Sequence, residues 1–332
     1  MNQALHNSEP STRQLMYWLY FCAFMVFAMA IIGAITRLTE SGLSIVEWRP
    51  LIGALPPLNE TEWNRVYELY KQSPEFEHKH YWMNLHDFKQ IFFWEWFHRL
   101  WGRAIGLAFA LPLLYFWLRK RIPQGWGLKL LGLFLLGGAQ GVMGWIMVKS
   151  GLVDRPSVSH FRLAAHLSLA AIIFCALILS ARAISKPAET RYKFDGLGLA
   201  ALVCVFITLI WGAFVAGLDA GLVYNHFPKM TPEHWLPPEN VIDPLNNHGW
   251  VQFTHRVLAL ICLVVVGAYA HVRKAHYVGA ALLIQIGLGI STLLTNVFIP
   301  LAAMHQGGAF ILLATLVFAL TRPYPLNNAA GD

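Results

Sequence analysis

The sequence contains few charged residues. Only 13% of its 332 residues are Asp, Glu, Lys or Arg, while 56% are hydrophobic and 13 are Trp. An average soluble protein has roughly 25% charged residues. This composition excludes an ordinary soluble domain and a disordered chain, and it is typical of a polytopic membrane protein.

The cysteines form no recognisable metal or disulfide pattern. Cys22, Cys175, Cys204 and Cys262 all lie within apolar stretches, and the sequence has neither CxxC nor the CxxCH of covalent haem attachment. Disulfides and thiolate metal sites are therefore not expected.

Acidic residues are also scarce, which leaves a net charge of +7. A basic excess can indicate nucleic-acid binding, but here the basic residues stand in short runs between apolar stretches. Such runs orient a protein in a membrane. We therefore expect no nucleic-acid partner.

Eight apolar stretches are each long enough to cross a bilayer, which takes about 20 residues. The first is too long for a signal-peptide core of roughly 7–15 residues. The sequence therefore predicts an all-α integral membrane protein with eight transmembrane helices, near 15–37, 91–118, 127–148, 161–183, 196–217, 250–272, 276–298 and 301–321.

Basic clusters follow the second, fourth and sixth stretches and predict the orientation. By the positive-inside rule these connections are cytoplasmic, so both termini are cytoplasmic and segments 38–90 and 218–249 lie outside. The clusters are Arg119, Lys120 and Arg121, then Arg182, Lys186, Arg191 and Lys193, then Arg273 and Lys274.

The first outer segment predicts a short amphipathic helix. Asn59 can cap it, with Glu62 three residues later, and Trp63, Val66 and Tyr67 follow at helical spacing. This helix lies on the membrane or covers a site. The histidines of the two outer segments have irregular spacing, so we expect solvated loop residues; they are His78, His80, His86, His226, His234 and His248.

The two halves of the chain share four landmarks in the same order. Residues 33–43 match 212–222, 97–100 match 254–257, 140–144 match 285–289, and 165–166 match 304–305. Each unit has four helices, an even number, so the repeat is parallel, about an axis along the membrane normal. The predicted organisation is a tail (1–14), a bundle with its outer segment (15–183), a linker (184–195), a second bundle (196–321) and a tail (322–332).

Four histidines stand at one depth in the predicted helices. His98, His166, His255 and His305 occupy spans 2, 4, 6 and 8, roughly 8–11 Å below the outer boundary at 1.5 Å per residue. Two such pairs can supply the axial imidazoles of two haem irons. Hydrogen-bonded packing, a proton path and a zinc or copper site are the alternatives. Small residues that leave room for a macrocycle are Gly102, Gly137, Gly138, Gly141, Gly287, Gly289, Gly307 and Gly308.

Charged neighbours distinguish the two halves. Arg99 and Arg256 each follow a histidine, where they bind haem propionates or reach lipid headgroups. Glu95 stands three residues before His98, whereas Gln252 takes that place before His255. A carboxylate in one half only suggests one working site and one electron-transfer site, although Glu95 can also simply pair with Arg99.

Residues 95–103 have the form ExxHRxxGR, and together with the duplicated landmarks they make the chain resemble the haem A synthase family over about residues 15–321. The resemblance implies oxidation of the C8 methyl group of haem O to a formyl group, by two hydroxylations through haem I, giving haem A for terminal oxidases. It implies that Glu95 is catalytic, that His98 and His166 flank the substrate haem, and that His255 and His305 ligate a haem b iron.

The resemblance is to the proteobacterial and mitochondrial branch, because no cysteine pair lies in an outer loop. It implies a multi-pass protein of the cell inner membrane, contact with the haem O synthase, and an electron acceptor that the sequence does not name; a homo-oligomer is left open. The alternative functions are a dihaem b-type electron carrier and a transporter with a histidine proton path.

Overall fold

Long helices form almost the whole fold in the computed structural model, which describes residues 10–47, 52–151, 157–185, 190–192 and 195–325. Parts of the predicted tails and linker lie outside these residues. The helices are α1 (Pro10–Leu38), α2 (Glu60–Tyr70), α3 (Leu85–Leu118), α4 (Gly127–Gly151), α5 (His160–Ile184), α6 (Gly196–Gly217), α7 (His248–Val272), α8 (His276–Leu294) and α9 (Ile299–Leu320).

Eight of these helices, all except α2, are long and apolar enough to cross a membrane. The predicted fold class is therefore confirmed, and the chain is a multi-pass membrane protein. In hydrocarbon a helix satisfies its own backbone hydrogen bonds, which explains why these apolar runs are helical. One small antiparallel pair, β1 (Thr190–Tyr192) and β2 (Pro323–Pro325), joins the end of the linker to the end of the chain.

The second membrane helix begins earlier than predicted, at Leu85 instead of residue 91. Asn84 caps it: its Oδ1 accepts from the Asp87 amide at 3.2 Å, and Asp87 accepts from the Asn84 amide at 3.2 Å. The resulting 34 residues span about 51 Å at 1.5 Å each, against a hydrocarbon core of roughly 30 Å. α3 is therefore longer than the hydrocarbon core is thick, and its N-terminal turns precede the apolar run that predicted the span.

The seventh membrane helix ends earlier than predicted, at Leu294 instead of residue 298. Asn296 and Val297, at φ of 51° and 59°, turn the chain through the left-handed region before α9 begins.

The membrane helices form two four-helix bundles. In the N-terminal bundle, α1 and α4 each pack against α3 and α5; in the C-terminal bundle, α6 and α8 each pack against α7 and α9. The bundles meet along a shared wall of α1, α5, α6 and α9. In the internal repeat α1 corresponds to α6 and α5 corresponds to α9. The contact between α1 and α9 is therefore equivalent to the contact between α6 and α5, which is consistent with a parallel repeat about an axis between α5 and α9.

Close contacts hold the shared wall together. A Cβ added at Gly217 would lie 2.6 Å from His160 Cβ, so α5 and α6 meet nearly backbone to backbone. Arg37 binds Asp219 at 2.8 Å near the C-terminal ends of α1 and α6. At the other end Arg182 donates to the Thr321 carbonyl at 2.6 Å.

The short helix α2 confirms the prediction for the outer segment. Asn59 Oδ1 accepts from the Glu62 amide at 2.8 Å, and the apolar face packs on the upper turns of α3. Trp63 lies 5.0 Å from Phe92 between ring centres. Because that face is covered by protein, α2 covers the end of α3. We call α2 and the following π turn (Phe76–His80) the roof.

One prediction about the outer histidines is wrong. His80 lies inside the roof with only 4% of its surface exposed, because the π turn directs its ring towards Tyr70. The other five are exposed, as expected: His78, His86, His226, His234 and His248.

Candidate functional site

In the N-terminal bundle each predicted ligand histidine faces a glycine on the preceding membrane helix. A Cβ added at Gly33 of α1 would lie 3.3 Å from Cε1 of His98 on α3. A Cβ added at Gly144 of α4 would lie 3.3 Å from Cε1 of His166 on α5. His98 and His166 are also within electrostatic range of each other. Because Gly33 and Gly144 have no side chain, both imidazoles fit inside the bundle.

The C-terminal bundle repeats this arrangement at the positions that the internal repeat predicts. A Cβ added at Gly212 would lie 3.2 Å from Cε1 of His255, and one at Gly289 would lie 2.8 Å from Cε1 of His305. Each of the four histidines therefore packs against a glycine on the preceding membrane helix. Histidines that served only as isolated packing residues would not need this repeated arrangement.

The rings of His255 and His305 have the separation that one iron requires. Their centres are 6.5 Å apart and their planes are perpendicular. A His–metal bond is about 2 Å long and a ring nitrogen lies roughly 1 Å from the ring centre, so two imidazoles on opposite sides of one iron have centres about 6 Å apart. This pair therefore fits a bis-histidine haem site.

A hydrogen bond prepares His305 to act as a ligand. Its Nδ1 lies 3.2 Å from the backbone carbonyl of Gln285, and since a carbonyl only accepts, Nδ1 carries the proton. Nε2 then has the free lone pair that a metal needs. The Gln285 side chain also donates to the His305 carbonyl at 3.0 Å.

Gln140 is the counterpart of Gln285 and holds His166. Its Nε2 donates to the His166 carbonyl at 3.1 Å and lies 3.3 Å from the ring Nε2 of the same residue. The fixing of the histidine by a glutamine on the preceding helix is therefore common to both bundles. Among the residues described, the buried Nδ1 atoms of His98, His166 and His255 have no hydrogen-bond partner.

Glu95 is almost fully buried, at 3% exposure, and both of its oxygens are bonded. Oε1 accepts from Arg99 Nη2 at 2.6 Å and Nε at 3.0 Å. Oε2 accepts from the Ser44 hydroxyl and the Ile45 amide, each at 2.7 Å. The pairing with Arg99, predicted as the simpler role of Glu95, is confirmed. Glu95 thereby fastens the chain after α1 to α3, beside His98.

The equivalent hydrogen bonds in the C-terminal bundle involve no carboxylate. Gln252 donates to the Tyr224 carbonyl at 3.0 Å, and Arg256 donates to the same carbonyl at 2.7 Å and to the His226 carbonyl at 2.9 Å. The predicted difference between the halves therefore has a structural place. In each bundle the segment that follows the first membrane helix is hydrogen-bonded to the second one, through the Glu95 carboxylate in the N-terminal bundle and through the Gln252 amide in the C-terminal bundle.

The glycines predicted to make room for a macrocycle fall into two groups. Gly137, Gly138, Gly141 and Gly287 have open space where a Cβ would be. At Gly307 and Gly308 neighbouring side chains occupy that space, so these two permit close helix packing instead. At Gly102 an added Cβ would make only an ordinary contact, 3.4 Å from Met29 Cε. The glycines that face the histidines were partly missed: Gly33, Gly144 and Gly212 belonged to the repeat landmarks, but nothing in one half alone assigns them to a histidine.

Sequence comparison places the chain among known proteins. The family model described as cytochrome oxidase assembly protein, COX15-CtaA, matches residues 16–317. The chain belongs to this family.

Relatives in the cytochrome oxidase assembly family are similar along nearly their whole length. The heme A synthase of Rhodospirillum centenum is 47% identical, over 94% of this chain and 89% of its own. Those of Nitrosospira multiformis and Paramagnetospirillum magneticum are 46% and 45% identical, the first over 89% of both chains and the second over 93% of both. The family match spans both bundles, including all four histidines.

Proposed function

We propose that this chain is a haem A synthase, which oxidises the C8 methyl group of haem O to a formyl group by two successive hydroxylations, through haem I. The observation that carries the proposal is the pair of matched histidine sites with a buried carboxylate beside only one of them. Membership of the cytochrome oxidase assembly family and relatives named heme A synthase support it.

In the proposal, His98 and His166 flank the substrate haem in the N-terminal bundle, and Glu95 is the catalytic carboxylate. The haem iron supplies the redox chemistry when the substrate is bound. Glu95 is one helical turn from His98 on α3, and its bonds to Arg99, Ser44 and Ile45 fix its orientation. A fixed carboxylate can stabilise positive charge that develops at the methyl carbon and accept a proton from it.

In the proposal, His255 and His305 would hold haem b in the C-terminal bundle, and that haem would supply electron transfer to an external acceptor. The ring separation of 6.5 Å supports this assignment. Donation from His305 Nδ1 to a carbonyl makes Nε2 a stronger ligand. Arg99 and Arg256 lie one residue after a ligand histidine, and in the proposal they provide positive charge near the haem propionates.

The proposed location is the cell inner membrane with both termini cytoplasmic, as the basic connections predict. Haem O is the substrate and haem A the product for terminal oxidases. Contact with the haem O synthase follows from the order of the two reactions, and a homo-oligomer is compatible with the apolar outer surface of the bundles.

A dihaem b-type electron carrier is the second candidate, because the glycine and glutamine supports are the same in both bundles. Pigment analysis separates the two. In a host that makes haem O, we expect the protein to produce haem I and haem A, and Glu95→Gln to reduce their rate of formation about a hundredfold or more.

The control for this experiment is the haem b spectrum of the C-terminal bundle, which should be the same in the wild type and in Glu95→Gln. Purified His98→Ala should retain haem b, whereas His255→Ala should lose it. Undiminished haem A output from Glu95→Gln would refute the assigned role of the carboxylate, and absence of both haem I and haem A from the wild type would favour the electron carrier.

A further inference from the structure

A chain of buried polar side chains crosses the roof. Tyr70, Glu75 and His80 are each at most 4% exposed, although the roof is small and faces the aqueous side of α3. Burial of such groups costs free energy that a purely structural cap avoids by using apolar residues. The chain is separate from the Glu95 fastening described above.

Hydrogen bonds link these residues in sequence. The Tyr70 hydroxyl lies 2.6 Å from His80 Nδ1 and 3.1 Å from Glu75 Oε2. His80 Nε2 lies 3.2 Å from Glu40 Oε2. Four side chains therefore form one continuous path, from Glu75 through Tyr70 and His80 to Glu40.

The two ends of the path have different surroundings. The Glu40 side chain is 34% exposed and is held by Lys79 at 2.5 Å, so this end reaches the outer solution. Glu75 is buried. Tyr70 packs in the same apolar cluster as Ile45, whose amide donates to Glu95 Oε2 at 2.7 Å, and Glu75 and Tyr70 both interact electrostatically with Glu95. The path therefore connects the surroundings of the candidate catalytic carboxylate with the outside.

The protonation states of the two ends set the direction of the hydrogen bonds along the path. Burial raises the pKa of Glu75 to about 8, whereas the hydrogen bond from His80 lowers the pKa of Glu40 to about 2. At neutral pH Glu75 is thus protonated and Glu40 ionised. Protonated Glu75 can then donate to Tyr70, Tyr70 to His80 Nδ1, and His80 Nε2 to Glu40, so all donors point outwards.

We propose that Glu75, Tyr70, His80 and Glu40 form a proton relay that carries protons from the substrate site beside Glu95 to the outer solution. The inference rests on the proposed function. With water as the oxygen source, a methyl group and one water molecule become a formyl group, four protons and four electrons. The electrons pass to an external oxidant of the quinone class, and the protons leave through the relay.

The titratable groups that interact with Glu75 belong to four parts of the fold. Tyr70 belongs to α2, Lys79 lies in the π turn, Glu40 follows α1, and Glu95 lies on α3. The two carboxylates raise the proton affinity of Glu75 and Lys79 lowers it. Above about pH 8 Glu75 ionises, Tyr70 turns its hydroxyl towards it, and the outward order of donors is lost.

The decisive variant is Tyr70→Phe, which removes the central hydroxyl and keeps the ring that stacks on Phe88 at 5.1 Å. The matched control is Tyr67→Phe on the same helix, which loses a hydroxyl bonded to the Met83 carbonyl at 2.6 Å and lies outside the path. Membranes of a host that makes haem O are assayed for the rate of haem I and haem A formation against outer pH, in H2O and D2O.

We expect Tyr70→Phe to lower the rate about tenfold or more, with haem b content unchanged and Tyr67→Phe at the wild-type rate. The wild-type rate should decline above about pH 8 and show a solvent isotope effect. Glu75→Gln, which cannot pass on a proton, should lower the rate as Tyr70→Phe does and abolish the decline. Equal rates and equal pH profiles for Tyr70→Phe and Tyr67→Phe would overturn the relay. Failure of the wild type to form haem I or haem A would instead overturn the proposed function.

Discussion

Gly289→Ala should displace a haem ligand without changing any polar group. The added Cβ would lie 2.8 Å from Cε1 of His305, and ordinary contact begins at 3.4 Å, so the ring must move by about 0.6 Å. His305 is also held by Gln285, so the movement strains that bond. Overpacking of this kind costs about 1–3 kcal/mol, which corresponds to roughly 5- to 150-fold weaker haem binding.

The matched control is Gly267→Ala on α7, which is not among the glycines expected to make room for a macrocycle and where nothing lies within 4 Å of the added Cβ. Both variants gain the same helix propensity, about 1 kcal/mol or less, so their difference isolates the contact with His305. The assay is the haem-to-protein ratio of the purified protein, with the low-spin spectrum as the report on ligation. A wild-type ratio and spectrum for Gly289→Ala would refute the assignment of His305 as a ligand positioned by this glycine.

Three further predictions concern stability, each measured as the thermal midpoint of the purified protein. Glu95→Ala leaves the partly buried Arg99 without its carboxylate partner and should cost about 3–5 kcal/mol, whereas Gln252→Ala should cost about 1–3 kcal/mol; equal losses would contradict a stabilising role for the Glu95–Arg99 ion pair. Because the folded-state pKa of Glu75 is about 8, against about 4 unfolded, stability should fall as pH rises from about 4 to about 8, and Glu75→Gln should flatten that fall; an unchanged slope would be the contrary result. Asp219→Asn removes a partly exposed ion pair and should cost less than about 1 kcal/mol; a larger loss would mean that this pair is a main contact between the bundles.

The membrane helices and the histidine pairs were predictable because they depend on local patterns. Apolar length decides whether a helix spans, and the internal repeat places His98 and His255, or His166 and His305, at equivalent depths. The asymmetry between Glu95 and Gln252 was also visible, since it needs only the alignment of the two halves.

The roof was predictable only in part. Asn59 and the apolar spacing of α2 are local signals. Glu40 belongs to the repeat, but Tyr70, Glu75 and His80 lie in a part of the first outer segment that none of the repeat landmarks covers, and folding of that part brings them to Glu40. His80 lies in an otherwise polar stretch, so its burial has no local signature. The six-residue extension of α3 depended on the Asn84 cap, which stands outside the apolar run that marked the span.

The shared wall limits how a macrocycle reaches either bundle. The wall consists of α1, α5, α6 and α9. The membrane helices outside it are α3 and α4 in the N-terminal bundle and α7 and α8 in the C-terminal bundle. These outer pairs are surrounded by acyl chains, not by water. We therefore expect a flat, apolar tetrapyrrole with an isoprenoid tail to enter laterally from the bilayer leaflet, and its product to leave by the same lateral route.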